Sequence, residues 1–246
     1  MEMAKRDLIM LNKGAFIGYA WLVLQPLILT LAYVLIVSFI LGSRLNSDSG
    51  VFDYGLYVLG GMIPWQIVTK MLADAPSQLY SRMELIKQVI YPIETLPLTS
   101  LLVISFGSFI SLIIFILLGI FSTNLSMGIL LFPIPFIFLA IFTIGMSWIF
   151  SIVGIFIKDL KEITTVILGL MVYATPVIAS PELVGERVWA LIMLNPLSHI
   201  VICFRDVYYL EFNLLSWLIF ILMSLFSFVF GALVISKAKL HINQYI

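Results

Sequence analysis

Few side chains in this sequence could do chemistry. The two histidines, His199 and His241, each lack a second histidine at metal-ligand spacing. A proton-abstracting carboxylate pair needs two Asp or Glu residues in reach of one substrate, and the long apolar stretches hold almost none. The same scarcity argues against a proton-coupled carrier, which keeps ionisable residues at mid-membrane. Lys70 and Asp74 are the nearest exception. Four residues apart on one helix face, they are expected to form a structural ion pair rather than a proton relay. No G-x-x-x-x-G-K-[ST] phosphate loop occurs, so any nucleotide that drives this protein is bound by another polypeptide. The single cysteine, Cys203, excludes a disulfide framework or a thiolate zinc site within one chain.

The elements that hold these residues must suit lipid. Of 246 residues, 62% are hydrophobic and 11% charged, with a mean hydropathy of +1.16. Soluble domains are about 45–50% apolar and about 25% charged, so a soluble enzyme of this composition is excluded. Disorder is excluded by the same figures. A net charge of zero leaves no basic footprint for nucleic acid. The chain reads as an all-α integral membrane protein.

A crossing helix needs roughly 20 mostly apolar residues, and six such spans are expected. The first, about 19–41, is longer than the core of a signal peptide and is expected to stay as a helix. The second, about 54–72, carries Gly60, Gly61 and Pro64, which neighbouring helices can accommodate in lipid. The uncharged stretch from Thr95 to Ile157 divides at Ser122-Thr123-Asn124 and Pro133 into spans of about 95–120 and 133–157. A short fifth span, about 163–178, is closed by Pro176 and Pro181, and a sixth covers about 214–236. Val188 to Phe204 is uncharged too, but Asn195-Pro196 splits it into pieces too short to cross. Two short helices folded back into the outer leaflet, about 182–210, are expected there. No internal repeat or linker is visible, and residues 1–246 read as one membrane domain.

Lys5, Arg6, Lys13, Lys70, Arg82, Lys87, Lys158, Lys161, Lys237 and Lys239 fall on one side of this topology, against Arg44, Arg187 and Arg205 on the other. That bias predicts cytoplasmic termini. Between Pro76 and Pro92, Met83, Ile86, Val89 and Ile90 recur at helical spacing while Arg82, Glu84 and Lys87 face elsewhere. Two readings stand: a helix resting on lipid headgroups, or one docking in a groove of a cytoplasmic partner. Lys158-Asp159-Leu160-Lys161-Glu162 joins the fourth and fifth spans and by itself is a solvated turn. Gly14-x-x-x-Gly18 and Ser147-x-x-x-Ser151 permit close helix approach, expected within one subunit.

At these residues the chain resembles the membrane subunits of type-2 ABC exporters that move O-antigen, capsule and teichoic-acid polysaccharides. The resemblance rests on an ordered series: Arg6-Asp7-Leu8, Ile17-Gly18-Tyr19-Ala20-Trp21, Gln25-Pro26-Leu27, Gly60-Gly61-Met62-Ile63-Pro64-Trp65 and Leu85 to Pro92. It continues through Leu96-Pro97-Leu98, Lys158-Asp159-Leu160, Thr175-Pro176-Val177-Ile178, Asn195-Pro196-Leu197 and Arg205-Asp206.

The resemblance implies a homodimer joined to two copies of a separate ATPase in a bacterial inner membrane, carrying a lipid-linked polysaccharide. The chain itself would hold no cofactor; ATP and magnesium would sit on the partner. An amphipathic N-terminal interface helix, a docking helix between spans two and three, and short gating helices between spans five and six are implied as well. Arg82, Glu84, Lys87, Lys158, Asp159 and Lys161 then become ATPase-docking candidates. Tyr33, Tyr57, Trp65 and Tyr173 are candidates for lining a sugar path, or else for an ordinary aromatic belt or helix packing. Arg205, Asp206 and Tyr208 are candidates for an outer gate or a contact to a pyrophosphate head, or else for plain structural pairing. His199 is expected as a hydrogen-bonded interface residue, and Glu182, Glu186 and Arg187 as a wetted loop. A type-2 permease for drugs or lipids is the alternative function.

Overall fold

The computed structural model describes residues 20–36, 51–82, 93–120 and 127–245. Among them the chain is helical, with no strand. Eight helices follow in order: α1 Trp21–Ile36, α2 Val51–Gln78, α3 Leu96–Gly119, α4 Pro133–Phe156, α5 Leu160–Met171, α6 Pro181–Met193, α7 Pro196–Tyr209 and α8 Leu214–Tyr245.

The helix α2 is the hub, packing against α1, α3, α4, α5 and α7. Leu59, Ile63, Ile67 and Met71 repeat at four-residue spacing along it and enter the main apolar cluster with Phe115, Leu139, Phe204 and Phe220. Its opposite face carries Tyr54, Val58, Met62 and Trp65 into a second cluster with Val172, Val177 and Val201. Apolar on both faces, α2 is enclosed by protein rather than lipid.

The peripheral helices are built the other way round. On α3, Leu98, Leu102, Phe106, Phe109, Ile113 and Leu117 are exposed, while Ser105, Ser108 and Ser111 are buried. On α8, Leu218, Leu222, Phe226, Val229 and Leu233 are exposed, while Ser216, Ser224 and Ser227 are buried. Large apolar residues outside and small residues inside suit a helix surrounded by lipid, where association depends on close backbone approach. The α4–α8 contact shows that approach directly. A Cβ on Gly145 would lie 2.4 Å from the Ser227 carbonyl, and one on Gly231 2.3 Å from the Gly145 carbonyl oxygen. Ser227 Oγ donates to Phe142 O across the same seam at 3.3 Å.

Four segments are long and apolar enough to cross a membrane: Asp53–Gln78, Ile93–Gly119, Gly128–Phe156 and Leu214–Lys239. A fifth arises if the pair α6–α7, bent by 119° at its break, counts as one. The bend falls at Asn195-Pro196, where the sequence reading placed it. Asn195 Oδ1 accepts from Leu197 N as the α7 cap, and Pro196 needs no helical donor in the first turn.

The expected span over 163–178 differs. The helix starts at Leu160 and stops at Met171, about 18 Å of rise against a roughly 30 Å hydrocarbon core. Turns occupy 172–178. The first expected span, 19–41, is described only to Ile36. The N-terminal interface helix and most of the docking helix lie outside the described residues.

Candidate functional site

Where α5 gives way to α6, the backbone runs without a helical ladder, and its carbonyls need other donors. Three successive residues obtain them from side chains. Arg205 Nη2 on α7 donates to Val177 O at 2.9 Å. Tyr54 Oη and Tyr57 Oη, one turn apart on α2, donate to Ile178 O at 3.0 Å and Ala179 O at 2.9 Å. Nearer α5, Asn195 Nδ2 donates to Ala174 O at 3.0 Å. Non-helical backbone is thus held from two helices at once.

Arg205 is the centre of this arrangement. It is 7% exposed, and its guanidinium carbon lies 3.5 Å from the centroid of the Tyr57 ring. Nη2 also reaches Tyr57 O at 3.2 Å. A carbonyl pair and an aromatic face therefore surround the cation, with no carboxylate within 4 Å among the described residues. The pocket exists because residue 61 is glycine. A Cβ there would lie 2.8 Å from Arg205 Nη2 and 3.3 Å from the Val177 backbone. Gly60 serves the neighbouring face, where a Cβ would press on the Phe115 and Tyr208 rings at 3.2 and 3.3 Å.

Asp206 turns the other way. Its Oδ2 accepts from Asn213 N at 2.8 Å and from Trp217 Nε1 at 2.9 Å, fastening the end of α7 to the start of α8. Asn213 Oδ1 in turn accepts from Ser216 N at that start. Arg205 and Asp206 are adjacent in sequence yet each bonds its own surroundings. Tyr208 is fully enclosed, with its ring 4.6 Å from that of Phe115 and stacked near Phe132. His199 Nδ1 lies 3.1 Å from Ser216 Oγ, a buried contact between α7 and α8. These groups can hold α7 in one position; they present no nucleophile or acid–base pair to a substrate.

The other expected residues are scattered. Trp65 is 4% exposed inside the second cluster, Tyr57 is half-buried beneath Arg205, and Tyr173 is 65% exposed. The three are not gathered on one surface of the single chain. Tyr33 belongs to α1, but its side chain lies outside the described residues. Lys158 and Asp159 are exposed in the α4–α5 turn, with Lys161 half-buried beside them. Arg82 ends the 3-10 turn Tyr80–Arg82, its side chain outside the described residues, as are Glu84 and Lys87. Glu186 and Arg187 are exposed on α6.

The Lys70–Asp74 ion pair is a correction. Lys70 Nζ points to α1 and meets Gln25 Oε1 at 3.4 Å. Among the described residues the ion pair within 4 Å is Lys239–Glu94, at 2.6 Å, joining the end of α8 to the start of α3. Tyr54, Asn213 and Trp217 were not singled out from sequence. The Tyr54–Tyr57 spacing was the available signal, since it places two phenols on successive turns of one helix face.

The comparisons with known proteins agree among themselves. The family described as "ABC-2 type transporter" matches residues 1–209. An O-antigen export system permease protein RfbA of Klebsiella pneumoniae is 24% identical over 206 residues, covering 82% of this chain and 77% of that protein. The protein of the same name from Myxococcus xanthus is 24% identical over 213 residues, covering 85% and 79%. The polysialic acid transport protein KpsM of Escherichia coli is 23% identical over 194 residues, covering 77% and 73%.

Proposed function

Because this chain belongs to the ABC-2 type transporter family, we propose that it is the permease of an ATP-driven exporter carrying a lipid-linked polysaccharide across a bacterial inner membrane. The observation that carries the cargo is that relatives named for O-antigen export and polysialic acid transport match along most of the chain. The proposed assembly is two copies of this chain with two copies of a separate ATPase, both termini cytoplasmic. ATP and magnesium belong to that partner.

A hydroxylated chain cannot enter hydrocarbon, where each unpaired polar group costs several kcal/mol. It needs a polar, aromatic path between subunits, on which sugar rings slide against apolar plates and bond at their edges. Tyr173, exposed beyond α5, is the proposed direct contact on such a path, with Tyr33 as its proposed companion. Tyr57 and Trp65 would shape the wall from within the chain. The exposed turn Lys158-Asp159, with Lys161, Arg82, Glu84 and Lys87, is the proposed ATPase contact. ATP-driven movement would reach Arg205, Asp206 and Tyr208 through α2, which packs against both α5 and α7.

The test is co-purification of this chain with the ATPase of the adjacent gene, followed by ATP hydrolysis in liposomes with and without lipid-linked glycan. Stimulation by the glycan is expected, together with loss of surface glycan when the chain is deleted. Full surface glycan in the deletion strain would refute the reading.

A further inference from the structure

Along the Gln78 half of α2, Gln66, Lys70 and Asp74 recur every fourth residue, a polar line on a helix whose other faces are apolar. Two of these side chains are poorly provided for. Gln66 is 7% exposed, and its Nε2 has no hydrogen-bond partner among the described residues. An orphaned buried donor costs about 1–3 kcal/mol. Lys70 is half-buried and carries three N–H donors. Among the described residues it reaches one acceptor, the neutral Gln25 Oε1, at a long 3.4 Å. Asp74, a turn further on, is exposed and makes no ion pair with Lys70 within 4 Å.

The balance is an excess of donors beside a cation, with few acceptors. Four residues of helix separate Gln66 and Lys70 by about 6 Å of rise, a span that the oxygens of one phosphate or diphosphate can bridge. The wall beside Gln25 is apolar and open, since α1 exposes Ile28, Leu29 and Leu31 there, while Ile63, Ile67 and Met71 close the inner flank within the core. A small soluble anion would lose its hydration there with nothing in exchange for that wall, whereas an anion on a lipid tail matches both parts.

We propose that Gln66 and Lys70 of α2, with Gln25 of α1, form a binding site for the phosphate or diphosphate head of a lipid-linked substrate. Asp74, one turn from Lys70 along the same line of α2, competes with the incoming head for the lysine. The proposal rests on the exporter reading for the origin of the lipid, and on the geometry alone for the site.

The test uses the full chain in nanodiscs of zwitterionic lipid, titrated with farnesyl diphosphate and followed by thermophoresis. Lys70→Met is expected to weaken binding about tenfold or more, the loss of a charge-assisted contact, and Gln66→Leu about threefold. Asp74→Asn is expected to tighten binding, which a merely loosened fold cannot do. Inorganic pyrophosphate should bind far more weakly, and phosphatidylglycerol should displace the probe poorly. Unchanged affinity in Lys70→Met and Asp74→Asn would overturn the site. Full displacement by phosphatidylglycerol would overturn it too, reducing it to an ordinary headgroup contact. Either result leaves glycan-stimulated ATP hydrolysis untouched, while failure of that stimulation with farnesyl diphosphate binding intact removes the exporter reading alone.

Discussion

Arg205→Ala is the sharpest probe of how the segment between α5 and α6 is held. The substitution removes the donor to Val177 O and the cation over the Tyr57 ring. Tyr57 O loses less, since it lies within α2, where the helix ladder supplies a donor. Val177 O lies outside any helix and is left bare. A hydrogen bond from a charged donor contributes about 1.5–3 kcal/mol, and a desolvated cation–π contact about 2. Against this, removing a buried charge recovers part of its desolvation cost, which amounts to several kcal/mol. The net loss is about 2–3 kcal/mol, confined to the contacts between α7, the 172–180 segment and α2. Hydrogen–deuterium exchange in nanodiscs reads such local stability. Amides of 173–180 and of the last two turns of α7 should exchange roughly 30–100-fold faster, at 1.4 kcal/mol per decade. Amides in α4 and α8 at the Gly145–Gly231 seam should stay as they were. Tyr57→Phe, which removes one neutral bond, should accelerate the same peptides by about fivefold. Exchange in Arg205→Ala within twofold of the parent would refute the argument and make Arg205 a bystander to that backbone.

Gly231→Val should separate α4 from α8, because its Cβ would meet the Gly145 carbonyl oxygen at 2.3 Å; the check is loss of folded protein in detergent by size-exclusion chromatography. Asp206→Ala orphans Asn213 N and Trp217 Nε1, so a cost of about 2–4 kcal/mol and a blue-shift-free rise in Trp217 quenching by acrylamide are expected. Glu94→Gln should change thermal stability by under about 1 kcal/mol, since Lys239 and Glu94 are 51% and 33% exposed, as a melting curve will show. Lys158→Glu combined with Asp159→Lys should leave the fold intact while lowering ATPase co-purification, measured by pull-down.

The sequence showed much of the architecture where local chemistry decided it. Asn195-Pro196 marked the bend between α6 and α7 because a capping side chain and a missing N–H act within three residues. The end of the fifth helix was hidden. Nothing before Pro176 stops an apolar run that continues past Met171, and the groups that stabilise the unwound form are Tyr54, Tyr57 and Arg205. Two of these precede the segment by more than a hundred residues. Lys70 misled for a related reason. Spacing of four offered Asp74 as a partner, but the side chain bonds across to α1, and a neighbouring helix is not visible in a local pattern. Trp65 packs inside the second cluster, which fits the helix-packing alternative; both readings stood open because aromatic identity does not distinguish a wall's surface from its interior.

The hidden end of α5 has its physical origin in the unwound backbone that follows it. A broken stretch of backbone in a membrane protein persists only if distant side chains satisfy it, so its energy depends on where α7 and α2 stand. With Arg205 seated against Gly61, Val177 and Tyr57, the three carbonyls are satisfied together. If α7 moves away from α2, Val177 O is released at once, and the two tyrosine bonds alone hold the segment. The same α2 that supplies those tyrosines carries Lys70 and Gln66 a few turns further along. A shift of α2 would therefore alter both ends, and exchange at 173–180 measured with and without farnesyl diphosphate would show whether occupancy at Lys70 reaches Arg205. A protection change of threefold or more is expected; identical exchange would mean that the two ends of α2 act separately.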